Sequence, residues 1–210
     1  MKKLPDKTVE RLSQYRRSLL NCLANGKKYI FSHEIANLHH ITSVQVRRDI
    51  MLIGYSGTLR KGYDVKELVE LIGEIIDSKD GQNVAIIGLG NLGRALVTYL
   101  TGKRSKLQIK ASFDVTPEKV DRVYGGVKCY HVDRLEEIIK EEGISIGIIT
   151  TPAEETQNIA ELLVKAGIKG ILNYTPKSIN VPDHVYLEEH DMITSLEKVA
   201  FFVKKNDVTH

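Results

Sequence analysis

The sequence predicts an α/β chain in which a small, mostly helical head precedes a doubly wound parallel sheet. Three observations carry that expectation. Apolar residues recur at helical spacing through the first third, strand and helix patterns alternate from residue 84 onward, and a glycine-rich turn joins the first of those strands to the first of those helices. The chain has 210 residues, enough for one large or two small domains, and its 42% hydrophobic and 27% charged residues suit an ordinary globular fold. No apolar run approaches the roughly 20 residues that span a bilayer, so no membrane partner is expected. The start, Met1-Lys2-Lys3-Leu4-Pro5-Asp6, lacks the apolar stretch of a secretory leader. Cys22 and Cys129 are too few for a disulfide framework and match no metal-ligand spacing. Reduced thiols and a cytoplasmic location are expected.

In the head, residues 6–25 read as a helix with a stripe of Val9, Leu12, Leu19, Leu20 and Leu23, stopped by Asn25-Gly26. A second, short helix is expected from a cap at Ser32 through Ile35, Ala36 and Leu38. A third begins at Thr42, where Thr42 and Gln45 have the spacing of a capping box. Gly54, Gly57 and Gly62 punctuate a candidate β-ribbon, and Val65 to Ile76 is amphipathic. The polar stretch Ser78 to Asn83 marks a domain boundary. Beyond it, strands are expected at Val84–Ile87, Ile109–Phe113, Val127–Tyr130, Ile144–Ile149, Ile168–Leu172 and Val185–Leu187. Helices are expected at Leu92–Leu100, Leu135–Glu141 and Glu154–Ala166. A last helix, with a capping box from Thr194 to Glu197, carries Leu196, Val199, Ala200, Phe201, Phe202 and Val203. That helix is apolar almost all round, so it should be buried. The expected domains are a head at 1–78, a sheet domain at 83–193 and a terminal helix at 194–210.

Charge is unevenly distributed. Residues 1–63 carry 12 Lys and Arg against 4 Asp and Glu, whereas residues 64–210 carry 18 against 23. A basic head suggests a polyanionic partner. In the third helix Val46, Ile50 and Ile53 face the core, leaving Ser43, Val44, Gln45, Arg47 and Arg48 for a major groove, with Met51 also pointing outward. Arginine reads guanine edges or holds phosphates, glutamine reads adenine, and a valine methyl packs on thymine. Arg60 and Lys61, at the tip of the ribbon, suit a wing that reaches phosphates or a minor groove. A solvated helix with two arginines is the plainer alternative.

Gly88, Leu89, Gly90, Asn91, Leu92 and Gly93 follow a strand and open a helix. The first glycine makes the turn, the second admits a pyrophosphate and the third lets helix and strand pack closely. Asp114, 21 residues past Gly93 and followed by Val115, ends the second strand, where a carboxylate accepts bonds from ribose hydroxyls and repels a 2′-phosphate. NAD+ or NADH is therefore expected over the phosphorylated cofactors. Thr150, Thr151 and Pro152 end the fourth strand, and Asn173 and Tyr174 the fifth. These positions suit the nicotinamide half of a cofactor site, and ordinary turn chemistry explains them equally well.

Taken together, these blocks resemble the redox-sensing Rex repressors over essentially the whole chain. The resemblance rests on Arg11-Leu12, Tyr15-Arg16-Arg17, Gln45-Val46-Arg47-Arg48-Asp49, Gly62-Tyr63, the glycine turn, Phe113-Asp114-Val115-Thr116-Pro117, the block from Gly167 to Pro176, and Ala200-Phe201-Phe202-Val203. It implies a winged-helix domain on a Rossmann-like domain, in a homodimer whose C-terminal helix is swapped onto the partner. It also implies a repressor that binds double-stranded operator DNA and lets go when NADH binds. A switch network of Arg17, Tyr99, Asp191 and Met192 is implied by position. The wing departs from the family's pattern: Gly57-Thr58-Leu59-Arg60-Lys61-Gly62-Tyr63 lacks the middle glycine, and its basic pair is displaced toward the tyrosine.

An enzyme is the main competing class, yet a dehydrogenase needs a substrate domain and a proton donor beside the nicotinamide. Nothing beyond residue 83 leaves room for such a domain, and His131, His184 and His190 sit in loops or short strands without a paired carboxylate motif. No catalytic residue and no metal ligand is expected. A nucleotide- or CoA-binding module with a protein-binding head is a second alternative, against which the clustered positive charge speaks.

Overall fold

The structure is a computed structural model that describes residues 4–58, 60–103 and 106–207. The first three residues of the basic N-terminus, Leu59 of the expected wing, and residues 208–210 of the expected terminal segment lie outside the described residues. The chain divides into two compact units, Met1–Lys79 and Asp80–His210.

The first unit begins with α1 (Asp6–Ala24), which buries Leu12, Tyr15 and Leu19 on one face. β1 (Tyr29–Ile30) leads into α2 (Ser32–His39) and α3 (Ser43–Leu52), and β2 (Tyr63–Asp64) leads into α4 (Val65–Ile76). The two short strands pair antiparallel, with Ile30 opposite Tyr63. Between them the chain makes a tight ribbon in which Thr58 and Gly62 exchange two backbone bonds of 2.8 Å. This is a winged-helix arrangement, with a core that gathers Leu12, Ile35, Val46, Ile50, Leu68 and Ile72.

Two caps differ from expectation. The cap of α2 is Phe31, whose backbone N–H donates to the Glu34 carboxylate at 2.8 Å, while Ser32 lies inside the helix and accepts from Arg47 at 3.2 Å. Thr42 does cap α3, accepting from the Gln45 N–H at 3.2 Å. The box stays open, however, because the Gln45 amide turns forward to Asp49 at 3.0 Å instead of back. α1 is also joined to the end of α4: Arg16 grips Asp77 with two bonds of 2.8 and 2.7 Å.

In the second unit, β3 (Gln82–Ile87), β4 (Leu107–Asp114), β6 (Val127–His131), β7 (Ile144–Ile149), β8 (Gly170–Asn173) and β9 (Tyr186–Glu189) pair in parallel. β5 (Val123–Tyr124) adds an antiparallel edge, and the order is β5-β6-β4-β3-β7-β8-β9. Chain order therefore reverses between β3 and β7, the switch point where doubly wound sheets open a crevice. Alternation along β3 feeds both faces. Val84 and Ile86 pack with Val97 of α5 (Asn91–Leu100), while Ala85 and Ile87 join the layer of Ile138 and Leu163 from α6 (Leu135–Glu141) and α7 (Thr156–Lys165). β8 starts two residues later than expected because Gly167, at φ +93°, and the Ile168 N–H, bonded to Leu163 at 3.1 Å, are still closing α7.

α8 (Met192–Asp207) departs most from expectation. It starts two residues before the expected box, and Asp191 rather than Thr194 caps it, accepting from the Ile193 N–H at 2.8 Å and the Thr194 hydroxyl at 2.6 Å. Its apolar side chains are not buried within the chain. Leu196, Val199, Phe201, Phe202 and Val203 are 52–69% exposed, because no element of their own domain covers them.

Gly147 in β7 shows how tightly that strand meets α7, since a Cβ there would lie 2.9 Å from a Leu163 methyl. Gly147→Ala is expected to lower the unfolding free energy by about 1–3 kcal/mol. Adding Leu163→Val should restore part of that loss in urea unfolding. Strict additivity of the two changes would count against this contact.

Candidate functional sites

The turn after β3 leaves no choice of residue at two positions. Gly88 has φ +96°, and a Cβ there would sit 2.8 Å from the Thr150 carbonyl. A Cβ at Gly93 would collide with the Gly88 carbonyl itself. At Gly90, which caps α5, a Cβ would meet nothing within 4 Å, so the backbone opens onto free space at the helix N-terminus. Thr150 secures the turn from β7, its hydroxyl lying 2.7 Å from the Gly88 carbonyl.

Around this turn lies a cleft of about 670 Å³. Of the residues expected at a cofactor site, Gly88, Gly90, Asp114, Val115, Thr150, Thr151 and Pro152 line it. Thr116, Lys119, Val132, Glu155 and Ile159 also line it, none of them expected from sequence at a cofactor site. Leu89 is buried in the core beside the turn, Asn91 accepts from Arg94 at 2.9 Å, and Leu92 lies half-buried on α5. Asn173 is placed differently from the expected lining role. Its amide holds its own loop, accepting from the Thr175 N–H at 3.0 Å and donating to the Lys177 carbonyl at 2.8 Å. Tyr174 packs edge-on against His190, with 5.2 Å between ring centroids.

Asp114 is the electrostatic centre of the cleft. Its carboxylate accepts from the Leu89 N–H at 2.7 Å, the Thr116 N–H at 2.9 Å and Lys119 Nζ at 3.0 Å. Burial works against its charge, but the bonds from Thr116, Lys119 and Leu89 outweigh burial and hold the carboxyl at about 2. The Asp114–Thr116 bond is an Asx-turn, a signal present in the sequence. At the opposite wall the Thr151 hydroxyl is buried with no protein partner among the described residues, so it is free for a ligand. Among the described residues no group of His, Cys, Asp and Glu could hold a metal ion. His131, His184 and His190 do not line the cleft, although His131 does lie 3.0 Å from an exposed Asp133 carboxylate.

On the first unit, α3 exposes Val44, Arg47, Arg48, Met51 and Leu52 around a shallow depression of about 480 Å³. Val44 is 63% and Met51 70% exposed, whereas Ser43 and Gln45 are half-buried beside them. The ribbon that follows is compact. A Cβ at Gly57 would strike the Gly62 carbonyl, and one at Gly62 would strike the Ile30 carbonyl. Exposed Arg60 and Lys61 stand at its tip, with Lys61 Nζ 5.4 Å from the centre of the Tyr29 ring. Of the implied switch residues, Arg17 is exposed on α1 in the first unit. Tyr99 is exposed on α5, Asp191 caps α8, and Met192 is exposed beside it.

Comparison with known proteins agrees with both units. A family described as CoA binding domain matches residues 79–177, and one described as putative DNA-binding protein N-terminus matches residues 3–50. Proteins named redox-sensing transcriptional repressor Rex are similar along the full length. That of Syntrophobacter fumaroxidans is 41% identical, covering 95% of each chain. That of Anoxybacillus flavithermus is 39% identical, covering 96% of this chain and 95% of its own. Among solved structures, the Rex-family repressor RSP in complex with NAD+ and operator DNA superposes with a TM-score of 0.90 at 32% identity, covering 100% of this chain and 96% of its own. RSP in complex with NADH superposes with a TM-score of 0.87, covering 100% and 98%.

A carboxyl held at about 2 against an ordinary 3.8 stabilises the fold at any pH above the ordinary value, and the contribution fades as pH falls through about 2. Asp114 should therefore contribute about 2 kcal/mol at neutral pH. Asp114→Asn is expected to be less stable than the parent at pH 7, with the gap narrowing between roughly pH 4 and pH 2. Equilibrium unfolding across that range checks it, and a gap independent of pH would remove the charge from the account.

Proposed function

The chain belongs to the Rex family of redox-sensing transcriptional repressors, and from that premise we propose that it binds operator DNA as a homodimer and lets go when NADH fills its cleft. The observation that carries this reading is the presence of two built sites on one chain. One is a glycine-turn cleft with a buried carboxylate, and the other a capped, arginine-bearing helix on a winged-helix unit. The family is one of repressors, not enzymes, despite the dehydrogenase-like sheet. No helix among the described residues is long and apolar enough to cross a membrane, and a cytoplasmic place, where free thiols and the cofactor coexist, fits the reading.

In the cleft, the open backbone at Gly90 and the N-terminus of α5 would receive the pyrophosphate. Asp114 would take the adenine ribose, with Val115 and Val132 as apolar wall, and the unpartnered Thr151 hydroxyl would meet the nicotinamide half. The buried Asp114 charge disfavours a 2′-phosphate, and Lys119 at 3.0 Å offsets part of that repulsion. Thr150 and Pro152 line the same end, and the Asn173-Tyr174 loop would bear on it from the next strand. On the DNA side, Ser43, Val44, Gln45, Arg47 and Arg48 would enter the major groove, with Arg60 and Lys61 on phosphate or minor groove. Arg17, Tyr99, Asp191 and Met192 are the proposed switch, and α8 the proposed contact with the partner subunit, onto which it would be swapped.

Release requires NADH to prefer a disposition of the two heads that mismatches half-sites about one helical turn apart. A ligand of equal affinity for both dispositions would shift nothing. Linkage then demands reciprocity. Saturating operator should weaken NADH binding by the same factor by which NADH weakens operator binding, and NAD+ should show a much smaller factor. Titrations of NADH with and without operator read this directly, and equal affinities would end the redox-sensor reading.

Removing residues 194–210 should turn the dimer into a monomer and reduce operator affinity at least a hundredfold, as expected when two linked half-site contacts become one. Sedimentation and gel-shift measurements on the truncated chain test it. A truncated protein that remains dimeric would assign the interface elsewhere.

A further inference from the structure

Asp49 lies on α3, one turn beyond Gln45, and is fully buried. Its carboxylate accepts from Arg11 Nε at 2.6 Å and Arg11 Nη2 at 2.8 Å, from the Tyr15 hydroxyl at 2.9 Å, and from Gln45 Nε2 at 3.0 Å. The Thr8 hydroxyl stands further off, at 3.4 Å. Three of these partners come from α1, so the carboxylate fixes the groove-entering helix against the helix behind it. Gln45 is the member that looks the other way, half-buried at the N-terminal turn of α3.

A side-chain amide has two chemically opposite ends, and only the NH2 end donates. Next to an ionised, donor-saturated carboxylate its orientation is not a matter of choice, because the oxygen end would face negative charge. Burial alone would resist that charge, but the bonds from Arg11, Tyr15 and Gln45 keep the Asp49 carboxyl below its ordinary range. One N–H of Gln45 is thus committed inward. Its Oε1, hydrogen-bonded to no described residue, and its second N–H remain for the groove.

We propose that Asp49 is a positioning residue for base reading: by holding the Gln45 amide with Oε1 outward, it makes the helix select adenine. Adenine alone offers an amino group next to a ring acceptor in the major groove, matching the free Oε1 and the remaining N–H. Guanine presents only acceptors there, thymine an acceptor beside a methyl, and cytosine an amino group with no ring acceptor beside it, so none of the three satisfies both free ends of the amide. The proposal rests on the reading of α3 as the groove-entering helix, and extends it from a surface that touches DNA to a residue behind the surface that sets the preferred base.

Selection of operators from a randomised duplex pool tests it, using the full-length protein, Gln45→Ala, and a triple variant Arg11→Met, Tyr15→Phe, Asp49→Leu. The triple variant replaces the carboxylate and its two closest partners on α1 by apolar groups of similar size, leaving Thr8 in place, a change that folds tolerate better than loss of one partner. The position at which Gln45→Ala relaxes the preference should be an A·T pair in the parent. The triple variant should relax that same position about tenfold, within the discrimination of one bidentate contact, while keeping its preferences elsewhere. A G·C pair in either orientation at the Gln45-dependent position would overturn the proposal whether or not the triple variant folds. A folded triple variant with the parent's adenine preference would overturn it too, as would a Gln45→Ala protein that selects the parent's operators unchanged. If the parent selects no sequence at all, the repressor reading falls and takes this one with it, an outcome distinct from the others.

Discussion

The second unit depends on the absence of one carbon atom. Because no Cβ fits between Gly93 and the Gly88 carbonyl, α5 can start directly against the end of β3. That approach sets where the helix N-terminus points, and it leaves the Leu89 N–H facing the next strand, where Asp114 accepts it. Thr150 closes the arrangement from β7. Three strand ends are thereby fixed to one another at the point where chain order reverses. The cleft is a by-product of that geometry, and its electrostatics follow, since the carboxylate that ties β4 to the turn is also the charge that faces a ligand.

The first unit solves a similar problem with a charge instead of a gap. A helix of ten residues that leaves Val44, Arg47, Arg48 and Met51 exposed has little apolar area with which to hold itself in place. Val46 and Ile50 supply the packing, and Asp49 supplies direction through Arg11 and Tyr15. A buried carboxylate with one cation and several neutral donors is costly to assemble and worth little net stability compared with apolar side chains. Its value lies in allowing only one arrangement of its neighbours.

Much of this was legible in sequence, for identifiable reasons. The strands of the sheet and the glycine turn were readable because burial on both faces and positive φ restrict residue choice strongly. β5 was not read, although Gly125-Gly126, both at positive φ, form the two-residue turn that announces a hairpin. Caps were the weakest reading. Ser32, Thr194 and the reciprocal arm of Gln45 all have capping chemistry, but Phe31 with Glu34 and Asp191 start their helices at other residues, and Asp49 draws the Gln45 amide forward. The cofactor site was half legible: the glycines and Asp114 have fixed spacing, whereas Lys119, Val132 and Glu155 reach the cleft only through the fold. Asn173 entered through its place at a strand end, and its amide turns out to hold the loop that follows it.

The exposed apolar face of α8 makes concentration a structural variable. Phe201 and Phe202 pack edge-on against each other at 5.3 Å, yet each keeps more than half its surface in water. On the proposed reading, in which α8 is covered by a second copy of the chain, folding and assembly share one equilibrium, and thermal midpoints drift upward with protein concentration. The cell's supply of this chain then tunes more than the number of occupied operators. When copies are scarce, the form competent to hold two half-sites thins out faster than the total, roughly with the square of abundance, so the response to dilution at cell growth is steeper than the response of either binding site alone.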